Sequence, residues 1–216
     1  MIYRLFNFFW NKFISFFLSL GCFVSGNLSS KSNTQLVLAE HPDVASVSIF
    51  AQDPKIVTPV GIAVAPDGRV FVQENHTHKR GKEYKGPKKD RILIFEDTDG
   101  DGFADKRSVF HEGLVFSTDL LFGPDGHLYV ANRWFVGRFK NAHLLSKAKE
   151  EPEILVECRT DGEYPHNGVG GLAIDPARPE VLAFGFGENL GRGYTFVGSD
   201  GTQISGGGEG GSTYHC

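Results

Sequence analysis

The chain has 216 residues, enough for one domain with a sizeable core. An apolar share of 40% is ordinary for a globular protein, and 27 glycines with 10 prolines suit a turn-rich β architecture. The formal net charge of -4 argues against a general nucleic-acid binder, so no nucleic-acid partner is expected.

Met1 to Gly26 differs from everything that follows. Arg4 and Lys12 precede an uncharged run from Phe13 to Val24. A charged start followed by about a dozen apolar residues is the pattern of a secretory signal peptide. The run is short for a membrane span of about 20 residues, though reading from Leu5 through Lys12 lengthens it into an uncleaved anchor. Ser19-Leu-Gly-Cys22 also approximates a lipobox, with its leucine one place late. All three readings imply export, and the protein is expected to be periplasmic, secreted or membrane-anchored. Residues 27–45 are Ser/Asn-rich at first and read as a linker, and 46–216 as the folded domain. Beyond the leader two cysteines remain, Cys158 and Cys216, which sequence alone cannot place in space.

Apolar runs bounded by turn residues predict strands at Val47–Phe50, Gly61–Ala65, Arg69–Gln73, Arg91–Glu96, Arg107–Phe110, Thr118–Phe122 and His127–Ala131. Further ones are expected at Val136–Phe139, Glu153–Glu157, Gly171–Ile174, Val181–Phe184 and Tyr194–Val197, with Ser199–Thr202 as a hairpin turn. Asn141–Glu151 is the one segment of helical composition, and Pro152 ends it.

Within this order one phrase returns. Gly61-Ile-Ala-Val-Ala-Pro-Asp-Gly-Arg-Val-Phe-Val72 is followed by Asp119-Leu-Leu-Phe-Gly-Pro-Asp-Gly-His-Leu-Tyr-Val130, then by a looser copy from Gly171 to Ala183. Each copy is a strand, a turn in which Pro presets φ and Gly accepts a positive φ, and a second strand. Pro66, Pro124 and Pro176 set a period of roughly 50 to 60 residues, the length of one four-stranded propeller blade. The expected fold is therefore all-β, a partial β-propeller of about three four-stranded antiparallel blades. Closure typically needs 4 to 8 blades. The chain thus reads as the N-terminal part of a larger propeller, inactive on its own; the alternative is a small β protein that closes by self-association.

Between Glu74 and Asp90 lies a loop with six basic residues and a His76-Thr-His78 pair. Two histidines fall short of a metal ligand set, so a solvated insertion is expected rather than a metal or anion site. Asp97-Thr-Asp-Gly-Asp-Gly-Phe-Ala-Asp105 carries more chemistry. Asp97, Asp99, Asp101 and Asp105 stand at positions 1, 3, 5 and 9 of a calcium loop, Gly102 at position 6, and the Phe103 carbonyl at position 7 adds an oxygen. Ser108 stands where an EF-hand has its bidentate Glu, and the flanks read as strands. A structural Ca2+ pinning a β-hairpin is expected, against a metal-free Asx-rich turn.

The last motif is Tyr164-Pro-His-Asn-Gly-Val-Gly-Gly-Leu-Ala-Ile174, then Phe184-Gly-Phe-Gly-Glu-Asn-Leu-Gly-Arg192. With the Asp97–Lys106 loop, Phe110-His-Glu-Gly-Leu114 and the closing glycine-rich run, it resembles the quinoprotein glucose/sorbosone dehydrogenases. It resembles most closely the bacterial sorbosone dehydrogenase-like "membrane-bound dehydrogenase" propellers. The resemblance covers about residues 55 to 216. It implies a six-bladed ring, pyrroloquinoline quinone as cofactor, a sugar or polyol substrate and a cytochrome c-type electron acceptor. By motif it implies that His166 takes a proton from the substrate hydroxyl, and that Asn167, Glu188, Asn189 and Arg192 serve the cofactor. Glu188 departs from the more usual Asp. The competing expectation is a non-catalytic propeller module that binds a glycan or a protein through its loops, since fold alone decides nothing. A lactonase-like calcium propeller would instead need calcium in the central channel.

Overall fold

Short apolar strands, most of them joined by tight turns, pair with their sequence neighbours before anything else, and this local rule builds most of the molecule. The structure is a computed structural model that describes residues 40–41, 45–162, 168–208 and 211–216. The expected leader (1–26), most of the linker, and the motif residues His166 and Asn167 lie outside the described residues.

A short ladder of β1 (Glu40–His41) and β2 (Ala45–Ser46) comes first. β3 (Pro59–Val64), β4 (Val70–Glu74), β5 (Asp90–Glu96) and β6 (Lys106–Leu114) then form a four-stranded antiparallel meander, the first blade. β7 (Ser117–Phe122), β8 (Leu128–Asn132), β9 (Phe135–Phe139) and β10 (Glu153–Thr160) repeat it as the second. β11 (Val169–Asp175) and β12 (Arg178–Phe186) open the third. The all-β, three-blade expectation holds, but the strands are not shared out four to a blade. The hairpin of β13 (Tyr194–Gly198) and β14 (Gln203–Gly206) pairs with β10, with Cys158 opposite Phe196, and makes the second sheet six-stranded. β15 (Ser212–His215) takes the place beside β12, with Phe184 opposite Tyr214, so the third sheet has three strands.

An aromatic cluster accounts for this exchange. Phe196 stands 5.4 Å from Phe184, 5.2 Å from Phe186 and 4.8 Å from Tyr214, ring centroid to centroid. Placed on β10, the hairpin aims Phe196 into the space between blades two and three. Fully burying such a ring stabilises by roughly 1.5–3 kcal/mol.

Two segments depart from expectation. Residues 47–50 form no strand; the Phe50 carbonyl accepts the Ala104 amide at 2.9 Å, and Phe50, Ala51 and Ile56 cover Val72, Leu93 and Phe95. Residues 141–151 form a single 3-10 turn, Ala142–Leu144, rather than a helix. Their polar backbone is claimed by neighbours: Arg69 donates to the carbonyls of Leu145 (2.8 Å) and His143 (2.7 Å), and the Ala148 amide donates to Phe110 (2.8 Å). Carbonyls committed to such partners do not build a helical ladder. Among the described residues no helix is long and apolar enough to cross a membrane.

Among the described residues, two of the three cores lie between blades. Phe71, Ile92, Ile94 and Phe110 of the first meet Leu120, Leu128, Val130 and Phe139 of the second. Tyr129, Val136 and Val156 of the second meet Val169, Leu172, Leu182 and Phe184 of the third. Because all ladders are antiparallel, connections alternate between two ends. The β4–β5, β6–β7, β8–β9, β10–β11 and β12–β13 connections share one end, here the loop end. The Pro-Asp-Gly turns and the Asp97–Asp105 loop share the other.

Candidate functional site at the loop end

The first part of the site grows from the end of β4. Glu74 is fully buried, and its carboxylate is surrounded by donors. Oε1 accepts the Val57 amide at 2.8 Å; Oε2 accepts Arg91 Nη2 at 2.6 Å and Nε at 3.1 Å, and lies 2.9 Å from His76 Nε2. Burial alone would raise the Glu74 pKa, but the bonds from His76, Val57 and Arg91 outweigh it and hold the carboxyl below its ordinary value. The second nitrogen of the His76 ring meets the Tyr84 hydroxyl, so neither is open to a metal. Asp90, at the start of β5, is also buried. It accepts the amides of His76 (2.6 Å), Thr77 (2.9 Å) and Ser117 (2.8 Å) and the Thr77 hydroxyl (3.0 Å). The solvated insertion is thus real over residues 79–86, which are exposed, whereas its first residues are locked. The available signal was the pairing of Glu74-x-His76 with Asp90-Arg91 at two facing strand ends.

The network continues into blade two. The Phe116 amide donates to Thr77 Oγ1 at 2.6 Å, and the Arg133 amide donates to the Phe116 carbonyl at 3.1 Å. Phe116 has a left-handed φ of 50°. The Arg133 guanidinium lies 5.8 Å from the Phe116 ring centroid and 5.6 Å from that of Trp134, within cation–π range, and donates to the Gly162 carbonyl at 2.8 Å. Sequence reasoning did not single out Arg133, because nothing local distinguishes it.

The two motif segments meet here. The Gly187 amide donates to the Gly168 carbonyl at 3.2 Å, joining the β12–β13 connection to the residue that follows Asn167. A Cβ on Gly168 would stand 2.5 Å from the Arg133 Cα, so only glycine lets these backbones approach. Asn189 is buried, and its Nδ2 donates to Thr160 Oγ1 at 2.9 Å and to the Arg192 carbonyl at 3.1 Å. Its Oδ1 accepts from Thr160 Oγ1 at 3.3 Å. The Asn189 amide is therefore spent inside the protein. Glu188 is exposed, and the Arg192 side chain is 62% exposed, 3.8 Å from Asp161. The Arg192 guanidinium, mostly in solvent, can meet a carboxylate, whereas the Asn189 amide donors are already engaged.

At the opposite end, Asp97, Asp99 and Asp105 bring carboxylate oxygens within 4.8 Å of one another, and Asp101 is not part of that group. Asp97 accepts the Gly100 amide at 2.7 Å and the Gly102 amide at 2.9 Å, and these bonds, Gly102 first, lower its pKa. Asp101 accepts the Phe103 amide at 2.8 Å. Cys158 and Cys216 are free thiols, and burial pushes Cys158 up to about 11.

A domain family of unknown function, DUF7133, matches residues 31–133, which take in the first blade and the start of the second. No curated protein matches the chain. Among solved structures, a crystal structure described as a candidate gluconolactonase is similar at 17% identity and a TM-score of 0.41, over 76% of this chain. The chain spans about half of that structure's length, 53%.

Proposed function

We propose that the loop end takes a sugar or polyol, and that the chain is part of an exported quinoprotein-type dehydrogenase, without turnover on its own. What supports the reading is the single bond between Gly187 and Gly168, which ties the Glu188–Arg192 segment to the connection that carries His166 and Asn167. In this reading His166 removes a proton from the substrate hydroxyl, a task suited to an imidazole near neutral pH. Arg192 holds a cofactor carboxylate, and Glu188 and Asn167 serve the cofactor as the motif implies. Pyrroloquinoline quinone, when bound, supplies the hydride acceptor. A cytochrome c-type protein collects the electrons. Ca2+ in the Asp97–Asp105 loop is structural, held by Asp97, Asp99 and Asp105, with Asp101 and the Phe103 carbonyl to be recruited.

Titrating the chain with pyrroloquinoline quinone, read by quinone absorbance, tests the cofactor half. Binding is expected, and Arg192→Gln should weaken it about tenfold, in line with the loss of one charge-assisted bond. No binding to the folded chain overturns the quinone reading. Isothermal titration with Ca2+ tests the loop separately; no heat of binding removes calcium.

A further inference from the structure

The repeat can be laid on the packing residue by residue. Counting back from Pro66, Pro124 and Pro176, the positions of Ile62 and Val64 correspond to Leu120 and Phe122 and to Leu172 and Ile174. The intervening positions are Gly61 and Ala63, Asp119 and Leu121, Gly171 and Ala173. On each inner strand the first set points to the preceding blade and the second to the following one.

The molecule uses this rule twice. Leu120 and Phe122 of β7 pack with Ala63 of β3 and Ala65 just beyond it, and Gly61 is in close contact with Leu120. Leu172 and Ile174 of β11 share a core with Leu121 of β7, and the Leu172 amide donates to Asp119 Oδ2 at 2.7 Å. In both cases a ridge of branched or aromatic side chains meets the forward face of the blade before it.

Among the described residues, one ridge and one forward face are left over. Ile62 and Val64 are 67% and 60% exposed, although their counterparts in the other blades are packed. Gly171 and Ala173 are exposed on β11, and a Cβ on Gly171 would find nothing within 4 Å. Beside them the backbone of Gly170, Gly171, Gly185 and Gly187 walls a concavity of ≈ 470 Å³. The free face carries the same Gly-x-Ala pattern that receives Leu120, and the free ridge carries branched apolar residues, Ile62 and Val64, at the positions that fill it.

We propose that a second copy of this chain covers both, with Ile62 and Val64 of one copy seated on Gly171 and Ala173 of the other. The contact is head-to-tail, and a two-fold arrangement makes it twice. Two three-bladed arcs supply six blades, within the range at which propellers close, so one dimer covers both free faces.

Light scattering of the full chain in solution tests this directly. The expected mass is twice 23.8 kDa. Ile62→Glu and Ala173→Glu should each give monomers, since each spoils both contacts of its own dimer. An equimolar mixture of the two variants should associate again, because one of its two contacts joins an intact ridge to an intact face. This rescue also shows that both variants are folded. Ile204→Glu, at an apolar residue 50% exposed on β14, should leave the dimer unchanged. A monomeric parent chain, open-ended polymers, or variants that never reassociate would each overturn the proposal. Monomers would point to occupation of the ridge by further segments of a longer chain.

Discussion

Gly61 on β3 lies so near Leu120 on β7 that a Cβ added to the glycine would stand 3.0 Å from the Leu120 nitrogen and 3.1 Å from its Cβ. Both neighbours belong to an inner strand that cannot yield without moving the blade. Gly61→Ala is therefore expected to destabilise the protein by about 1–3 kcal/mol, as overpacking a tight core does. A lower urea midpoint with unchanged slope would show it; an unchanged midpoint would mean the blades are not packed this closely.

Glu74 carries the polar link between the first blade and its loop. Glu74→Gln removes the charge that Arg91 and His76 face, and breaking one side of such a pair costs roughly 3 kcal/mol, less whatever solvent reaches Arg91. The folded carboxyl has a lowered pKa, so its contribution is complete above the ordinary value of 4.5 and is lost as pH falls through the folded value. The parent chain should lose stability on acidification in that window, and Glu74→Gln should lose less. Identical acid titrations of stability for the two would refute the assignment.

His111 acts in a higher window. Its ring is buried against Phe139, centroids 4.9 Å apart, and desolvation lowers its pKa even though Glu151 and Glu112 pull it up. A base with a lowered folded pKa takes its proton more readily when unfolded. Stability should therefore be complete above 6.5 and decline as pH falls below it. His111→Phe should flatten that part of the profile. A parent curve already flat between pH 7 and 5 would show that the ring is not desolvated.

The parts of the fold legible in the chain are those decided locally. Pro66-Asp-Gly68 and Pro124-Asp-Gly126 fix their hairpins through φ alone, with Gly68 and Gly126 at φ 89° and 76°. The placement of β13 beside β10 was not legible, because it depends on which blade offers Phe196 a pocket, a contact far along the chain. The same limit hid the candidate site. Glu74 and Arg91 are 17 residues apart, and Arg133 reaches Gly162 across 29, distances at which no spacing rule operates. Asn141–Glu151 shows the converse: composition favours a helix, and three tertiary bonds to its backbone override it.

Asn189 offers the sharpest separation between a residue that builds the site and one that serves a ligand. It is 2% exposed, and its amide ties the β12–β13 connection to Thr160 at the end of β10. Asn189→Ala leaves the Thr160 hydroxyl and the Arg192 carbonyl short of a donor, at a cost of about 1–3 kcal/mol. Arg192→Gln, on a side chain mostly in solvent, should change stability by less than about 0.5 kcal/mol. Urea denaturation of the two variants without ligand reads this difference. Should Asn189→Ala leave stability untouched, its bonds are not holding the connection, and its amide would be open to the cofactor role that the motif implies.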